Sequence, residues 1–238
     1  MTISIRRLEE ADIPYAARAI QRTFFPSAVF NDPKAPESKG DPYANWLYDF
    51  QPGLLVRNLE SLSIRLRWLI DYGCPLVAEE DGKVVGVALW MAPVPKNQSY
   101  SDRFWAYTSL WKVWFQQVWM NMRFGYAGLN VHRYNIWKKV QQETHDEVLA
   151  NDDKGVWFLN IVVVDPAEQG KGIGKKLVTY VLDIADKSGI RCYLESSKWD
   201  PNVTIYRKMG FEVAKEMVCD DNGEICKLYS MVREVHKA

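Results

Sequence analysis

The chain has 238 residues, with 30 Lys+Arg balanced by 30 Asp+Glu, 47 % hydrophobic and 13 % aromatic residues. That length is enough for one large domain with a sizeable core, and a net charge of zero argues against a dedicated nucleic-acid binder, which carries a basic excess. Nothing in Met1 to Arg7 resembles a signal segment, and no apolar run approaches the roughly 20 residues of a membrane span, so a cytoplasmic protein is expected.

In chain order, Ile3, Ile5 and Leu8 alternate with polar residues from Thr2 to Leu8 and predict a first strand. Glu9, Glu10 and Asp12 place acids at the positive end of a helix reaching about Phe25. Pro26, Pro33, Pro36, Gly40 and Pro42 predict a loop. A short helix over 43–50 follows. Leu55, Leu59, Leu62, Leu66 and Leu69 then line one face of a long helix that ends near Gly73. Arg57, Arg65 and Arg67 lie off that stripe and are expected in solvent. The runs 75–79 and 83–90 flank Asp81-Gly82, a strong hairpin signal.

The segment 104–124 carries Trp105, Trp111, Trp114 and Trp119. Its helical face of Phe104, Tyr107, Trp111, Trp114 and Val118 either packs onto the core, walls a substrate pocket or forms a dimer face. Arg103, Lys112 and Arg123 are too few for a strong basic membrane-binding face. A further helix is expected from Val131 to Leu149. Its His145, like His132 and the tail residue His236, reads as a surface or packing residue. With no His/Cys/carboxylate cluster at ligand spacing, no metal is expected.

The apolar run 156–164 suits a central strand buried on both faces. It ends at Asp165-Pro166, and three glycines follow (Gly170, Gly172, Gly174) before the helical pattern of Ile173, Leu177, Tyr180, Val181 and Ile184. A strand, a tight glycine turn and a helix N-terminus present unpartnered backbone N–H groups with positive dipole character, which suits a phosphate or pyrophosphate. Residues 191–195 predict a short strand, and Asp200-Pro201 a helix start with Asp200 as cap, ending at Met209-Gly210. Residues 211–218 and 224–232 predict a hairpin. Cys219 and Cys226 could face each other across it, either as a disulfide or, as is expected of Cys74 and Cys192 too, as reduced packed thiols, since nothing marks secretion.

Gln169-Gly-Lys-Gly172-Ile-Gly174 matches, residue by residue, the Gln/Arg-x-x-Gly-x-Gly/Ala loop of the GCN5-related N-acetyltransferase (GNAT) superfamily. Asn202, Tyr206 and the Gly210-Phe211 step resemble its second hallmark. Two motifs in the right order are far more specific than one glycine turn, and neither a Walker nor a Rossmann register fits. Leu194-Glu195-Ser196 is also similar to the small-molecule acetyltransferases. The resemblance implies an α/β (α+β) fold: a single domain over 1–238, with a mixed sheet of six to seven strands, a splay between the fourth and fifth, and helices on both faces. Its acetyl-CoA core spans about 154–213, and the helical insertions about 43–73 and 101–150.

It further implies acetyl-CoA as donor. The main chain of Gln169, Gly170, Lys171, Gly172, Ile173, Gly174 and Lys175 would hold the pyrophosphate, and the charges of Lys171, Lys175 or Lys176 would either help or remain in solvent. Ile161, Val162, Val163 and Val164 would pair with the pantetheine arm, and Asn202 would bond to it or order the splayed strands. A main-chain N–H near Val162 or Val163 would face the developing oxyanion. Tyr206 is the expected general acid toward the departing thiolate. Glu195 is a general base, an anchor for the acceptor's ammonium, or a surface residue. The expected acceptor is a small-molecule primary amine, attacking directly in a ternary complex. The alternatives are a protein lysine or N-terminus, or a non-catalytic acetyl-CoA sensor. The protein is expected as a monomer or homodimer with no nucleic-acid or membrane partner.

Overall fold

The computed structural model describes residues 3–30, 32 and 37–236; Thr2, Pro33 and Pro36 lie outside the described residues. Seven strands form one sheet in the order β1-β2-β3-β4-β5-β7-β6. They are β1 (Ile3–Arg7), β2 (Gly73–Glu80), β3 (Lys83–Met91), β4 (Trp157–Val164), β5 (Cys192–Ser196), β6 (Glu212–Asp221) and β7 (Glu224–Arg233). Only β4 and β5 pair in parallel. Both hairpins turn where the sequence places them: Asp81 and Gly82, then Asn222 and Gly223, hold positive φ at the two central positions, the backbone that matches strand twist in a two-residue turn.

The helices are α1 (Ile13–Phe24), α2 (Pro42–Leu47), α3 (Leu54–Tyr72), α4 (Tyr100–Phe124), α5 (Val131–Val148), α6 (Ile173–Ser188) and the single turn α7 (Thr204–Arg207). Alternation along the strands builds two cores. One face sends Leu76, Ala88, Trp90, Leu159 and Leu194 toward Ile173, Leu177, Val178 and Val181 of α6. Gly86 allows α6 to lie close, because a Cβ there would stand 3.1 Å from both Ile173 and Leu177. The other face sends Val77, Val87, Leu89 and Val163 toward α1 and toward Leu62, Leu66 and Leu69 of α3. A third cluster joins Trp46 and Leu47 of α2 to Met217, Cys219, Cys226 and Leu228 of the β6–β7 hairpin, with Tyr134, Trp137 and Val140 of α5 packed against it.

Three expectations need correction. Arg57 is buried rather than solvated: its guanidinium donates to Asn121 Oδ1 (2.8 Å) and Gly125 O (3.3 Å), and so ties α3 to the end of α4. Asp200 does not cap a helix. It is extended (φ −106°, ψ 134°) within the turn Trp199–Val203, and regular helix starts only at Thr204. The aromatic face of α4 does not pack on the core, since Phe104, Tyr107, Trp111 and Trp114 are each more than half exposed. Polar side chains hold α4 to α3 instead: Trp68 Nε1 donates to Ser109 Oγ (3.2 Å), and Ser61 Oγ to Gln117 Oε1 (3.0 Å). Cys219 and Cys226 are opposite one another in the hairpin and all four cysteines are free thiols, with burial raising Cys219 to about 11 and Cys226 to about 12.

α6 is tied to β7 and to the chain after α7 by one guanidinium. Arg233 makes a bidentate pair with Asp186 (2.8 and 2.7 Å) and donates from Nε to Met209 O (3.1 Å). Its side chain is 8 % exposed, so the pair is shielded from screening. Hydrogen bonding to Arg233 lowers the Asp186 pKa. A carboxylate depressed in the folded state adds stability above its unfolded pKa of about 3.9, and that contribution is lost as pH falls through the folded value. Arg233→Met is therefore expected to cost about 2–4 kcal/mol at neutral pH, and its loss of stability below about pH 4 should be shallower than that of the parent protein. Urea titrations at neutral and acid pH measure both.

Candidate active site

The glycine loop sits where β4 ends. Asp165 N donates to Val85 O (2.9 Å) while its carboxylate receives Ala167 N (3.0 Å), which pins the turn. Gly170 and Gly172 have φ of +84° and +75°, and a Cβ on either would meet nothing within 4 Å. The backbone is therefore left-handed beside open space, the conformation glycine adopts at least cost. Gly172 is also the N-cap of α6 and offers no side-chain cap, so the first N–H groups of the helix are free to meet an anion. Ile173 is buried in the core beneath and contributes its main chain only. Gly174 is helical, and a Cβ there would touch Val164 at an ordinary 3.6 Å.

The lysines of the loop differ. Lys171 is held by Glu168 and by Glu80 (3.5 Å), and hydrogen bonding to Glu168 raises its pKa; its charge is already matched. Lys175 lies in an open cleft between α6 and α7 that is also lined by Arg207 and Lys208. Lys176 is exposed one residue further on.

β4 and β5 share three register pairs: Trp157 with Cys192, Phe158 with Tyr193, and Leu159 with Leu194. Beyond them the strands separate, as the sequence implied. Asn160 falls at a bulge, because Leu89 of β3 faces Ile161 and Trp90 faces Leu159. The main chain of residues 160–164 thus has no strand partner on its β5 side. Val162 and Val164 pack toward α6, and Ile161 and Val163 toward α1 and α3, so these four offer backbone to the gap while their side chains anchor the strand.

Glu195 is the first β5 residue past the last shared pair. Its side chain is 7 % exposed and densely partnered. Oε1 receives Tyr193 OH (3.0 Å) and lies 3.0 Å from His145 Nε2, and Gln141 Nε2 reaches both oxygens (3.2 and 2.9 Å). Lys138 Nζ donates to Gln141 Oε1 (3.0 Å); burial lowers its pKa, with Glu195 acting against that shift. The His145 ring stands edge-on to Phe158 and Tyr193, across the last rungs before the splay. Oε1 carries most of the donors, so Oε2 is the oxygen with acceptor capacity to spare. Glu195 is therefore not a surface residue.

The sequence reading missed Gln141 altogether and gave His145 a surface or packing role. It does pack, but against the carboxylate. Lys138, Gln141 and His145 recur at spacings of three and four, one face of α5, and that periodicity is the one signal the sequence offered. His132 lies on the exposed side, 3.5 Å from Asp221.

Tyr206 stands in α7 on the opposite face, packed against the α6 core with its ring 6.0 Å from Phe211. Burial moves its phenol up to about 12, so it is protonated at neutral pH and able to donate. Asn202, in the turn before α7, is partly exposed and its side chain has no hydrogen-bond partner among the described residues.

The insertions close the β6–β7 side of Glu195. Asp41 accepts from Ser197 Oγ (2.5 Å), just past β5, and caps α2 by receiving Tyr43 N (3.0 Å). Arg133 of α5 donates to Trp46 O (2.9 Å), Asp221 (2.8 Å) and Glu224. Burial raises the pKa of Tyr43 well above its usual range, with Tyr48, Tyr134 and Glu195 adding to the effect.

A family model for the acetyltransferase (GNAT) family matches residues 41–211. An uncharacterized N-acetyltransferase of Schizosaccharomyces pombe is 29 % identical over 157 residues, 65 % of this chain and 58 % of its own length. A second from the same yeast is 26 % identical over 204 residues, 80 % of this chain and 82 % of its own. Among solved structures, one described as histone acetyltransferase HPA2 and related acetyltransferase, from Corynebacterium glutamicum, superposes with a TM-score of 0.57 at 19 % identity, covering 100 % of this chain and 99 % of that one. A mosquito arylalkylamine N-acetyltransferase-like protein gives 0.55 at 16 %, covering 98 % and 100 %. Glycine cradle, splayed strands and family match agree, and the chain belongs to the acetyltransferase (GNAT) family.

Proposed function

We propose that the protein transfers an acetyl group from acetyl-CoA to the primary amine of a small molecule, by direct attack in a ternary complex. One observation carries the reading: β4 and β5 part immediately before Glu195, with the glycine cradle toward one face of the sheet and the Glu195 cluster on the other. A thioester lying in the gap is reached by an amine from the Glu195 side. The donor supplies an activated acetyl carbonyl and a thiol leaving group.

The chain's residues supply the rest. The open cradle at Gly170 and Gly172 and the free N-terminus of α6 fit a pyrophosphate. Lys175, Arg207 and Lys208 place positive charge in the adjoining cleft, suited to a further phosphate of the nucleotide. Residues 160–164 offer unpaired main chain to the pantetheine amides. An alkylammonium, with a pKa near 10.4 in water, must lose a proton before it attacks. Glu195 Oε2 is placed to bind that ammonium and take the proton, while Tyr193, Gln141 and His145 fix the carboxylate's orientation. The neutral phenol of Tyr206 donates to the departing sulfur.

A compact acceptor fits better than a polypeptide, because α2 and α5 close in around Glu195. The deciding test is release of free CoA thiol with a panel of small primary amines and a panel of lysine and N-terminal peptides. Turnover with at least one small amine and none with peptides is expected; turnover with peptides alone would move the function to protein acetylation, and binding of acetyl-CoA without any turnover would make the protein a sensor.

Two substitutions test the parts. Tyr206→Phe should lower kcat about 10²-fold with little change in acetyl-CoA affinity; an unchanged kcat removes the acid role. Gly172→Val should weaken acetyl-CoA binding more than about tenfold. Gly223 has the same left-handed backbone (φ +96°) and the same open space in the distant hairpin. Gly223→Val therefore carries a similar strain of about 1–2 kcal/mol without touching the cradle, and should leave binding unchanged. Equal loss in both would trace the effect to folding rather than to the cradle.

A further inference from the structure

Helix α4 is amphipathic in the reverse of the usual sense. Its body-facing seam is largely polar: Ser109, Gln117 and Asn121 bond to Trp68, Ser61 and Arg57 of α3, and Ser109 and Met120 are its only buried residues. Phe104, Tyr107, Trp111, Trp114, Phe115 and Trp119 turn away from the protein and are 53–70 % exposed. At 100° per residue these six fall within an arc of about 140°, along a helix of 25 residues, or roughly 37 Å. Trp111, Trp114 and Phe115 already cluster with centroids 4.9–5.9 Å apart. At about 150–250 Å² per fully buried aromatic side chain, the six leave on the order of 700 Å² of ring surface in water, above what a soluble monomer ordinarily exposes in one patch.

Charge decides what covers it. The stripe is bordered by exposed cations, Arg103 on one side and Lys112 and Arg123 on the other. The chain as a whole has 30 acids in 238 residues, yet α4 has one, Asp102, and that carboxylate is taken up at the helix start by Ser99 Oγ (2.7 Å). A second copy packed face to face would bring like-charged borders together with no free carboxylate between them. An anionic lipid surface supplies the missing charge. Tryptophan and tyrosine rings also favour the boundary between headgroups and acyl chains, where an apolar body and a polar N–H or O–H are both accommodated.

We propose that α4 docks the protein, lying flat, on an anionic phospholipid bilayer, with its aromatic stripe in the headgroup–acyl boundary and Arg103, Lys112 and Arg123 at the phosphates. No helix among the described residues is long and apolar enough to cross a membrane, so the contact is peripheral. The sequence reading counted three cations as too few for such a surface. It left the aromatic face open between the core, a pocket and a second copy; with that face in solvent, hydrophobic burial carries most of the attachment and the cations need only direct it. The inference does not depend on the acetyl-transfer reading.

The test is flotation of the full chain with vesicles of phosphatidylcholine alone and of phosphatidylcholine with about 30 % phosphatidylserine. Binding to the anionic vesicles at least about tenfold above the neutral ones, weakened by added salt, is expected. Trp111→Gln/Phe115→Gln should reduce it about tenfold or more, and so should Lys112→Glu/Arg123→Glu; these side chains are exposed, so both variants should melt with the parent protein. Failure to bind either vesicle, or equal binding by parent and variants, overturns the proposal. So does a stable dimer in solution that the Trp111→Gln/Phe115→Gln change dissociates, which would assign the face to a second copy.

Discussion

The structure turns on a failure of strand pairing. β4 and β5 run in parallel and hold together for three register pairs. Past Leu159 and Leu194 their main chains diverge, and polar groups that a sheet would normally satisfy are left facing a gap. Unpaired backbone next to a core is costly unless water or a ligand meets it, and in the proposed function the pantetheine arm of the donor takes that place. The Asn160 bulge reinforces the divergence, since an inserted residue bends its strand and increases local twist.

The glycine loop and Glu195 both take their positions from that gap. The left-handed backbone at Gly170 and Gly172 opens one end to an anion, and α6 brings its positive terminus there because Gly86 allows it close to the sheet. Glu195 is placed at the opposite face by strand alternation alone: Leu194 must enter the core beside α6, so its neighbour must point toward α5. Burying a carboxylate there requires donors, and Tyr193, Gln141 and His145 supply them. The insertion carrying α5 thus supplies two of the three side chains that hold the Glu195 carboxylate.

The strand, glycine loop and helix of β4 and α6 were legible in the sequence because their signals are local. A β-branched run, a Gln-x-x-Gly-x-Gly loop and a helical stripe lie within about 25 consecutive residues and constrain one another, and the two hairpins followed from Asp-Gly and Asn-Gly. The surroundings of Glu195 were not legible, because their contacts join distant residues: Gln141 and His145 to Glu195, Asp41 to Ser197. No periodicity foretells which side chain an exposed-looking histidine meets. The orientation of α4 failed for a different reason. An apolar stripe normally faces the core, but here Ser109, Gln117 and Asn121 make the contacts to α3 and the aromatic stripe stays in solvent. Arg57 was misplaced by the same pairing, since its solvent position is where α4 ends.

The third core, between α2, α5 and the β6–β7 hairpin, has a bearing on how the chain assembles. Its members come from around residues 43–48, 129–140 and 217–228, so the elements that cover the hairpin leave the ribosome well before the hairpin does. Contacts at such separation carry a large loop-closure cost and form late. Until the last strands are made, Trp46, Leu47 and Trp137 lack the hairpin side chains Met217, Cys219, Cys226 and Leu228 that they pack with. A nascent chain of this protein therefore passes through a stage in which the hairpin-facing side of α2 and α5 is uncovered.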